Sequence, residues 1–347
     1  MAGTVYTVVG GQYGSEAKGH VAAQLHRRGS IPVGVRVGGP NAGHTVIDDD
    51  GNRFALRSIP VCAAVDDEST LVIAAGSELD IDVLMSEIEL LQDAGHPVES
   101  RLLIDPQVTI IDQSHKDLEA ELVGKVGSTG KGIGAARAAR MMRTARLARD
   151  CDELQRFLGD TQSFLNNVHQ RGADILIEGT QGYHLGSHAG HYPQSTTNNC
   201  RAIDVISQAG VTPLNRPEIW LVLRTYPIRV AGNSGDMGHE IDWDVLSEAT
   251  DGYIQPERTT VTQKIRRVAQ WSSEAARAAV DGNGGPANEK LHLALMFVDY
   301  LDPDLAGECD PDVLEGSSAL EWVEAVEDCL GMSFSMFGTG PGSVIWR

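Results

Sequence analysis

Three chemically active side chains fall close together in GGQYGSEAKG (10–19): Ser15, Glu16 and Lys18, set among Gly10, Gly11, Gly14 and Gly19. Such a group suits a polyphosphate. The glycines let backbone amides crowd around an anion, a helix N-terminus adds partial positive charge, and Lys18 adds a full one. The loop departs from a Walker A motif, because Ala17 stands in place of the glycine before the lysine and Gly19 replaces the hydroxyl residue that holds magnesium. The stretch alone reads either as a nucleotide loop or as a tight strand-to-helix turn, and a metal ligand must come from elsewhere.

Further polar tips recur along the chain. GGPNAGHT (38–45) carries Asn41 and His44, which serve as functional groups or as a turn residue and a surface histidine. GSTGKGIGA (127–135) offers Ser128, Thr129 and Lys131, on a second phosphate loop or on a connector. EGTQG (178–182) ends another strand, and YPQSTTN (192–198) adds hydroxyl donors. His184, His188 and His191 are spaced as on a helix, but Gly186, Gly190 and Pro193 favour scattered loop histidines over a metal cluster. ERTTVTQKIRRVAQW (257–271) groups threonines with Lys264, Arg266 and Arg267, a composition suited to clamping a carboxylate or to a solvated basic loop.

The elements that must position these groups alternate. Apolar β-branched runs at 5–9, 31–37, 71–75, 174–178, 219–223 and 291–298 read as strands, and amphipathic spacing predicts helices after Lys18, over 81–94 and over 320–330. An alanine-rich helix is predicted to carry Arg137, Arg140, Arg143, Arg146 and Arg149, whose spacing by three winds around the helix so that some must be solvated. Strand-helix alternation with glycine turns at strand ends indicates an α/β fold. The length allows one elaborated domain or two smaller ones. Since no gap in composition forces a split, the expectation is a single elaborated domain over 1–347, around a mostly parallel central sheet with P-loop-like nucleotide-binding topology.

Composition narrows the partners. The net charge of −20 opposes duplex nucleic acid and acidic lipid while leaving room for a local basic pocket, so neither nucleic acid nor membrane is an expected partner. The five scattered cysteines, with no CxxC pair, fit a reduced cytoplasm rather than a disulfide framework or a zinc site.

Taken jointly and in order, GGQYGSEAKG, GGPNAGHT, GSTGKGIG, EGTQG with YPQSTTN, RVAG (229–232), TVTQKIRRV (260–268) and GTGPG (338–342) resemble the adenylosuccinate synthetases. The resemblance implies a ligase that joins aspartate to C6 of a purine nucleotide after phosphorylating the base oxygen. It implies His44 as general acid, with Lys18 and the amides of Gly14, Glu16, Ala17 and Gly19 holding the triphosphate beside Thr45. The Gly43 carbonyl and Ser15 would hold Mg2+. Asn41, Ser128, Thr129, Gln181 and Thr196 would grip the nucleotide substrate, with Val230 by the sugar and Arg143 reaching its phosphate across a homodimer. Thr262, Lys264 and Arg266 would hold aspartate, and Asp299, Gly338 and Gly340 would line the donor's base.

Three departures refine this. Ser15 replaces the family's catalytic aspartate, and a serine is a poor base at neutral pH. The change is similar to that in the family's phage branch, which uses dGMP. Phe297-Val298-Asp299 lacks the lysine that accompanies guanine recognition, pointing to ATP or dATP as donor. Lys264 replaces an arginine of the aspartate loop, with loss of a bidentate fork. The implied reaction is therefore dGMP with L-aspartate and ATP, in the cytoplasm or the host's cytoplasm if phage-encoded. The alternatives are ordinary IMP- and GTP-dependent synthesis and an inactive nucleotide sensor.

Overall fold

The computed structural model describes residues 1–259 and 263–347. Nine strands form the central sheet in the spatial order Val344–Trp346, Phe334–Gly338, Leu291–Met296, Glu218–Arg224, Val5–Gly10, Ile175–Gly182, Val33–Arg36, Thr70–Ile73 and Leu102–Ile104. All neighbours run parallel except the last pair in sequence, where Phe334–Gly338 and Val344–Trp346 are antiparallel.

Near-continuous apolar strands are what a sheet covered on both faces requires. Val8, Trp220 and Val222 enter the core on one face, against helix Lys18–Gly29 and the hairpin His44–Ile47/Arg53–Leu56. Their neighbours Val9, Leu221 and Leu223 enter the core on the other, beneath helices Ala202–Ala209, Ser273–Gly282 and Leu320–Leu330. This alternation is the pleat of each strand expressed as two cores.

A small antiparallel sheet, Ile228–Arg229 with Arg267–Ala269 and Glu240–Ile241, sits after the Glu218–Arg224 strand. It ties the Glu257–Arg267 segment to the main sheet.

One expectation needs correction, and one helix was not foreseen. The arginine-rich helix spans only Ile133–Met141, and Arg143 follows it in a left-handed turn at φ 62°. Of the five arginines, Arg137 and Arg140 lie in this helix, and Arg149 falls in a separate 3-10 turn, Ala148–Asp150. The rest of the segment is held by side-chain to backbone and ion-pair contacts, such as Arg146 to Asp112 at 2.9 Å. A helix also covers Gln113–Val126, where only His115 and Glu119 are buried, so no apolar stripe announced it. Among the described residues no helix is long and apolar enough to cross a membrane.

Candidate functional site

The polar tips read from the sequence gather where the parallel strands end, the edge at which open α/β sheets collect ligands. The first strand delivers the 11–17 loop. There Glu16 is fully buried and its Oε1 accepts amide protons from Gly14 (2.7 Å) and Gln12 (3.2 Å), while Lys18 Nζ pairs with its Oε2 at 2.6 Å. The cradle expected to hold a phosphate is thus formed around an internal carboxylate, with Lys18 buried beside it. Gly19 is required by close approach: a Cβ there would lie 2.6 Å from His44 Cβ, so its absence lets the helix meet the hairpin bearing His44 and Thr45.

His44 is buried in a network that sequence reasoning only partly found. Its Nδ1 donates to Glu178 Oε2 at 2.7 Å, and Arg36 Nη1 packs against the same imidazole while reaching Glu178 Oε2 at 3.2 Å. The other Glu178 oxygen accepts from Val61 N at 2.7 Å, and Arg36 Nη2 donates to Ala42 O at 2.7 Å. His44 Nε2 is buried and has no partner among the described residues. Burial, followed by the Arg36 and Lys18 cations, holds the imidazole well below its ordinary titration range. Burial pushes the Glu178 carboxyl up to about 7 against the pull of Arg36.

Ser15 is exposed at φ 58° on the rim of the first loop. Arg266 Nη1 donates to its Oγ at 2.8 Å, and Arg224 Nη1 donates to its carbonyl at 3.1 Å. Arg224 is fully buried, lies 4.0 Å from the Phe297 ring centroid and forms an ion pair with Glu257, which also accepts from Tyr300 OH at 3.3 Å. Gln12 clamps the Arg224 backbone, accepting from its N and donating to its O, both at 3.0 Å. Burial lowers the Arg266 guanidinium, and Glu257 restores part of its basicity. Lys264 is exposed, and its backbone N donates to Thr259 Oγ1 at 3.1 Å. Thr262 lies outside the described residues.

A cleft opens where the Ile175–Gly182 and Val33–Arg36 strands end, lined by Asn41, Thr180, Gln181, Thr196, Glu78 and Arg137 among others. Gln181 Nε2 donates to Asn41 Oδ1 at 3.3 Å, and Thr196 N donates to Leu185 O at 2.6 Å. Ser128 Oγ accepts from Gly130 N at 3.2 Å, whereas Thr129 and Arg143 are exposed. The amides of Gly132, Gly134 and Ala135 are taken by the Glu119 carboxylate. Val230 is half-buried, and its carbonyl accepts from Ser234.

At the far end, the register Met296↔Gly338 sets Gly338 beside the turn leading to Asp299, with half-buried Gly340 two residues on. Asp299 Oδ2 accepts from Tyr253 OH at 2.7 Å, and Oδ1 is buried without a partner among the described residues. Burial raises this carboxyl to about 6, with the Tyr253 bond opposing.

Left-handed backbone at non-glycine residues concentrates here: Ser15, Ala17, Gln181, Gln263 and Phe297 all have φ between 53° and 69°. Each such residue costs about 1–3 kcal/mol unless its surroundings fix it, a pattern of functional sites. Sequence reasoning missed Arg36, Arg224, Gln12, Glu78 and Glu257. For Arg36 and Arg224 the signal was a lone polar residue at the end of an apolar strand, as in VGVR and IWLVLR; Gln12, Glu78 and Glu257 carry no such mark.

Among the described residues no group of three or more His, Cys, Asp or Glu side chains is arranged to hold a metal. His184 Nε2 instead donates to Ala275 O at 2.8 Å, and His188 Nδ1 faces Asn199 at 3.1 Å. The exposed Gly43 backbone and Ser15 side chain supply hard oxygens, a donor set that fits a magnesium ion taking its other ligands from phosphates and water.

The comparisons with known proteins agree with this geometry. The adenylosuccinate synthetase family model matches residues 7–152 and 144–303. The chain is 33% identical over 342 residues to the adenylosuccinate synthetase of Methanococcus aeolicus (strain ATCC BAA-1280 / DSM 17508 / OCM 812 / Nankai-3), covering 97% of each chain. It is 35% identical over 338 residues to that of Pyrococcus horikoshii (strain ATCC 700860 / DSM 12428 / JCM 9974 / NBRC 100139 / OT-3), covering 96% of this chain and 95% of the relative. In structure it is similar to the cyanophage S-2L succinoaminodeoxyadenylate synthetase bound to dGMP and dATP as an energy donor, with TM-score 0.81, 27% identity and 98% and 94% of the two chains covered. The fully ligated adenylosuccinate synthetase of Plasmodium falciparum shares the fold at TM-score 0.86 and 20% identity, covering 99% of both chains. With its nine-stranded α/β sheet and these matches along nearly its whole length, the chain belongs to the adenylosuccinate synthetase family of carbon–nitrogen ligases.

Proposed function

We propose that the chain condenses dGMP with L-aspartate, using ATP or dATP, to give N6-succino-2-amino-2′-deoxyadenylate, a nucleoside diphosphate and phosphate. The full length acts as one domain, since strands from Val5 to Trp346 share one sheet. The observation that carries the reading is Ser15. Its exposed hydroxyl stands on the rim with Arg266 at 2.8 Å, beside the loop that in this reading takes aspartate, and in this reading it also faces the purine edge. A hydroxymethyl group there leaves more room than a carboxylate for guanine's 2-amino group. When Arg266 turns from Oγ to aspartate, the two lone pairs of the hydroxyl are left for that amine and for magnesium. The solved cyanophage S-2L enzyme, bound to dGMP and dATP, supports this choice.

The N1 proton is lost to solvent as O6 attacks the γ-phosphorus and the bond to the bridging oxygen breaks. The aspartate amine then adds at C6, and phosphate leaves. In this reading Lys18 moves from Glu16 to the triphosphate, and Gly14, Glu16, Ala17, Gly19 and Thr45 surround it. His44, held neutral by burial beside Arg36 and Lys18, takes a proton from solvent on Nε2 as phosphoryl charge offsets those cations, and stabilises that charge. Glu178 holds Nδ1–H and fixes the ring. Magnesium, held by the Gly43 carbonyl and Ser15, supplies charge neutralisation of the phosphates.

Asn41, Ser128, Thr129, Gln181 and Thr196 grip dGMP near Val230, and Thr262, Lys264 and Arg266 take aspartate. Asp299, Gly338 and Gly340 line the donor's adenine, where Asp299 Oδ1 accepts from the exocyclic amine. Arg143 reaches the substrate phosphate of a second copy in a homodimer, a reading supported by exposed Leu118, Met141 and Met142 on the paired helices before it. Free Cys62, Cys151, Cys200, Cys309 and Cys329 suit the cytoplasm, or a host's cytoplasm.

The archaeal relatives' names favour a second reading, IMP with GTP. Purified protein with aspartate and magnesium, crossed over dGMP or IMP and ATP, dATP or GTP, separates the two by phosphate release and product mass. Product from dGMP with an adenine donor supports the proposal, and product only from IMP overturns it.

A further inference from the structure

A phosphate monoester entering a chain of net charge −20 needs a cation close at hand. Among the described side chains lining the cleft beside Gln181, Arg137 is the one cation and Glu78 the one carboxylate. Arg137 lies on helix Ile133–Met141, just after the loop carrying Ser128 and Thr129, and its side chain is 18% exposed against 5% for Glu78. Arg137 Nη2 meets Glu78 Oε1 at 2.7 Å and Gly76 O at 3.4 Å.

The pair is incompletely satisfied. Arg137 Nε and Glu78 Oε2 are both buried with no hydrogen-bond partner among the described residues, although a buried fork and carboxylate in a purely structural pair ordinarily find further partners. Arg140, whose charge also acts on Glu78, is turned onto Gln107 O at 2.6 Å.

We propose that Arg137 is an in-chain contact for the 5′-phosphate of the nucleotide substrate, with Glu78 as its place-holder until the nucleotide arrives. This rests on the nucleotide-ligase reading above, but not on the choice between dGMP and IMP. A guanidinium already oriented by one carboxylate can turn its remaining N–H groups to a phosphate, or exchange partners, with little loss of ordering entropy. Burial raises the Glu78 carboxyl, so it can take up a proton once its cation is shared.

The test is binding of dGMP and IMP by titration calorimetry, and of deoxyguanosine and inosine by NMR titration, to the wild type, Arg137→Gln, Glu78→Gln and the double variant. Arg137→Gln is expected to weaken the nucleotide by about 10–100-fold while leaving its nucleoside within about 2-fold, as loss of a charge-assisted phosphate bond requires. Glu78→Gln is expected to bind the nucleotide at least as tightly as the wild type. If Arg137→Gln strands Glu78 and does not fold, the double variant, in which the cleft is neutral, carries the same expectation.

Equal losses for nucleotide and nucleoside would reduce Arg137 to a structural role. Unchanged nucleotide affinity in a folded variant would overturn the inference outright. A nucleotide-selective loss seen with IMP in a protein that does not bind dGMP would uphold Arg137 and reject the proposed base.

Discussion

Arg266 Nη1 donates to Ser15 Oγ at 2.8 Å across 251 residues of sequence. The first loop and the basic loop therefore share one rim, and the arginine proposed to clamp aspartate rests on the residue proposed to read the purine. Arg266→Lys removes the planar fork while keeping the charge. It is expected to raise the KM for aspartate about 10–100-fold with a small effect on the KM for dGMP. Steady-state kinetics with each substrate varied in turn checks this, and an equal rise for both substrates would place Arg266 elsewhere in the reaction.

The contact of His44 with Glu178 makes a second prediction. His44→Ala should lower kcat by about 10²–10⁴-fold, the usual range for a general acid. Glu178→Gln, which keeps the volume and can still accept a proton from Nδ1, should cost less but leave Arg36 without its carboxylate. Single-turnover phosphoryl transfer measures both, and a near-normal rate in His44→Ala would exclude it from that step.

His26 gives a prediction about stability. It is buried with Nδ1 donating to Ile31 O at 3.2 Å, and burial lowers it from 6.5 to about 4. The folded state therefore resists a proton that the unfolded chain accepts near pH 6.5. Its contribution is whole above about pH 6.5 and is lost as the pH falls through 4, on the order of 3 kcal/mol in all. His20, lowered by burial to about 4 as well, acts in the same direction. Urea denaturation between pH 4 and 7 should show this acid limb, and His26→Asn, which keeps a donor and does not titrate, should flatten it.

Asp299 links pH to donor binding. Burial raises its carboxyl to about 6, and Oδ1, without a partner among the described residues, would accept from adenine most strongly when ionised. The KM for ATP should rise as the pH falls below about 6, and Asp299→Asn should abolish that dependence. A KM for ATP independent of pH in the wild type would separate Asp299 from the base.

Much of this arrangement was legible in the residues. Runs such as VYTVVG and IWLVLR, apolar along their length, indicate a sheet covered on both faces, and glycine turns at strand ends indicate where polar groups collect. The helix Gln113–Val126 was not legible because it buries polar His115 and Glu119. The arginine helix was overextended because a spacing of three persists past Met141, where the backbone turns at Arg143. The ion pairs Arg36–Glu178, Arg224–Glu257 and Arg137–Glu78 join residues far apart in sequence, and no local pattern names a partner.

The most direct measurement is the ratio of kcat/KM for dGMP to that for IMP, in the wild type and in Ser15→Asp. The wild type should favour dGMP, and the variant should shift toward IMP by at least about tenfold, since a carboxylate restores a base for N1 and fills the space beside C2. A ratio unchanged by the substitution would contradict the role given to Ser15.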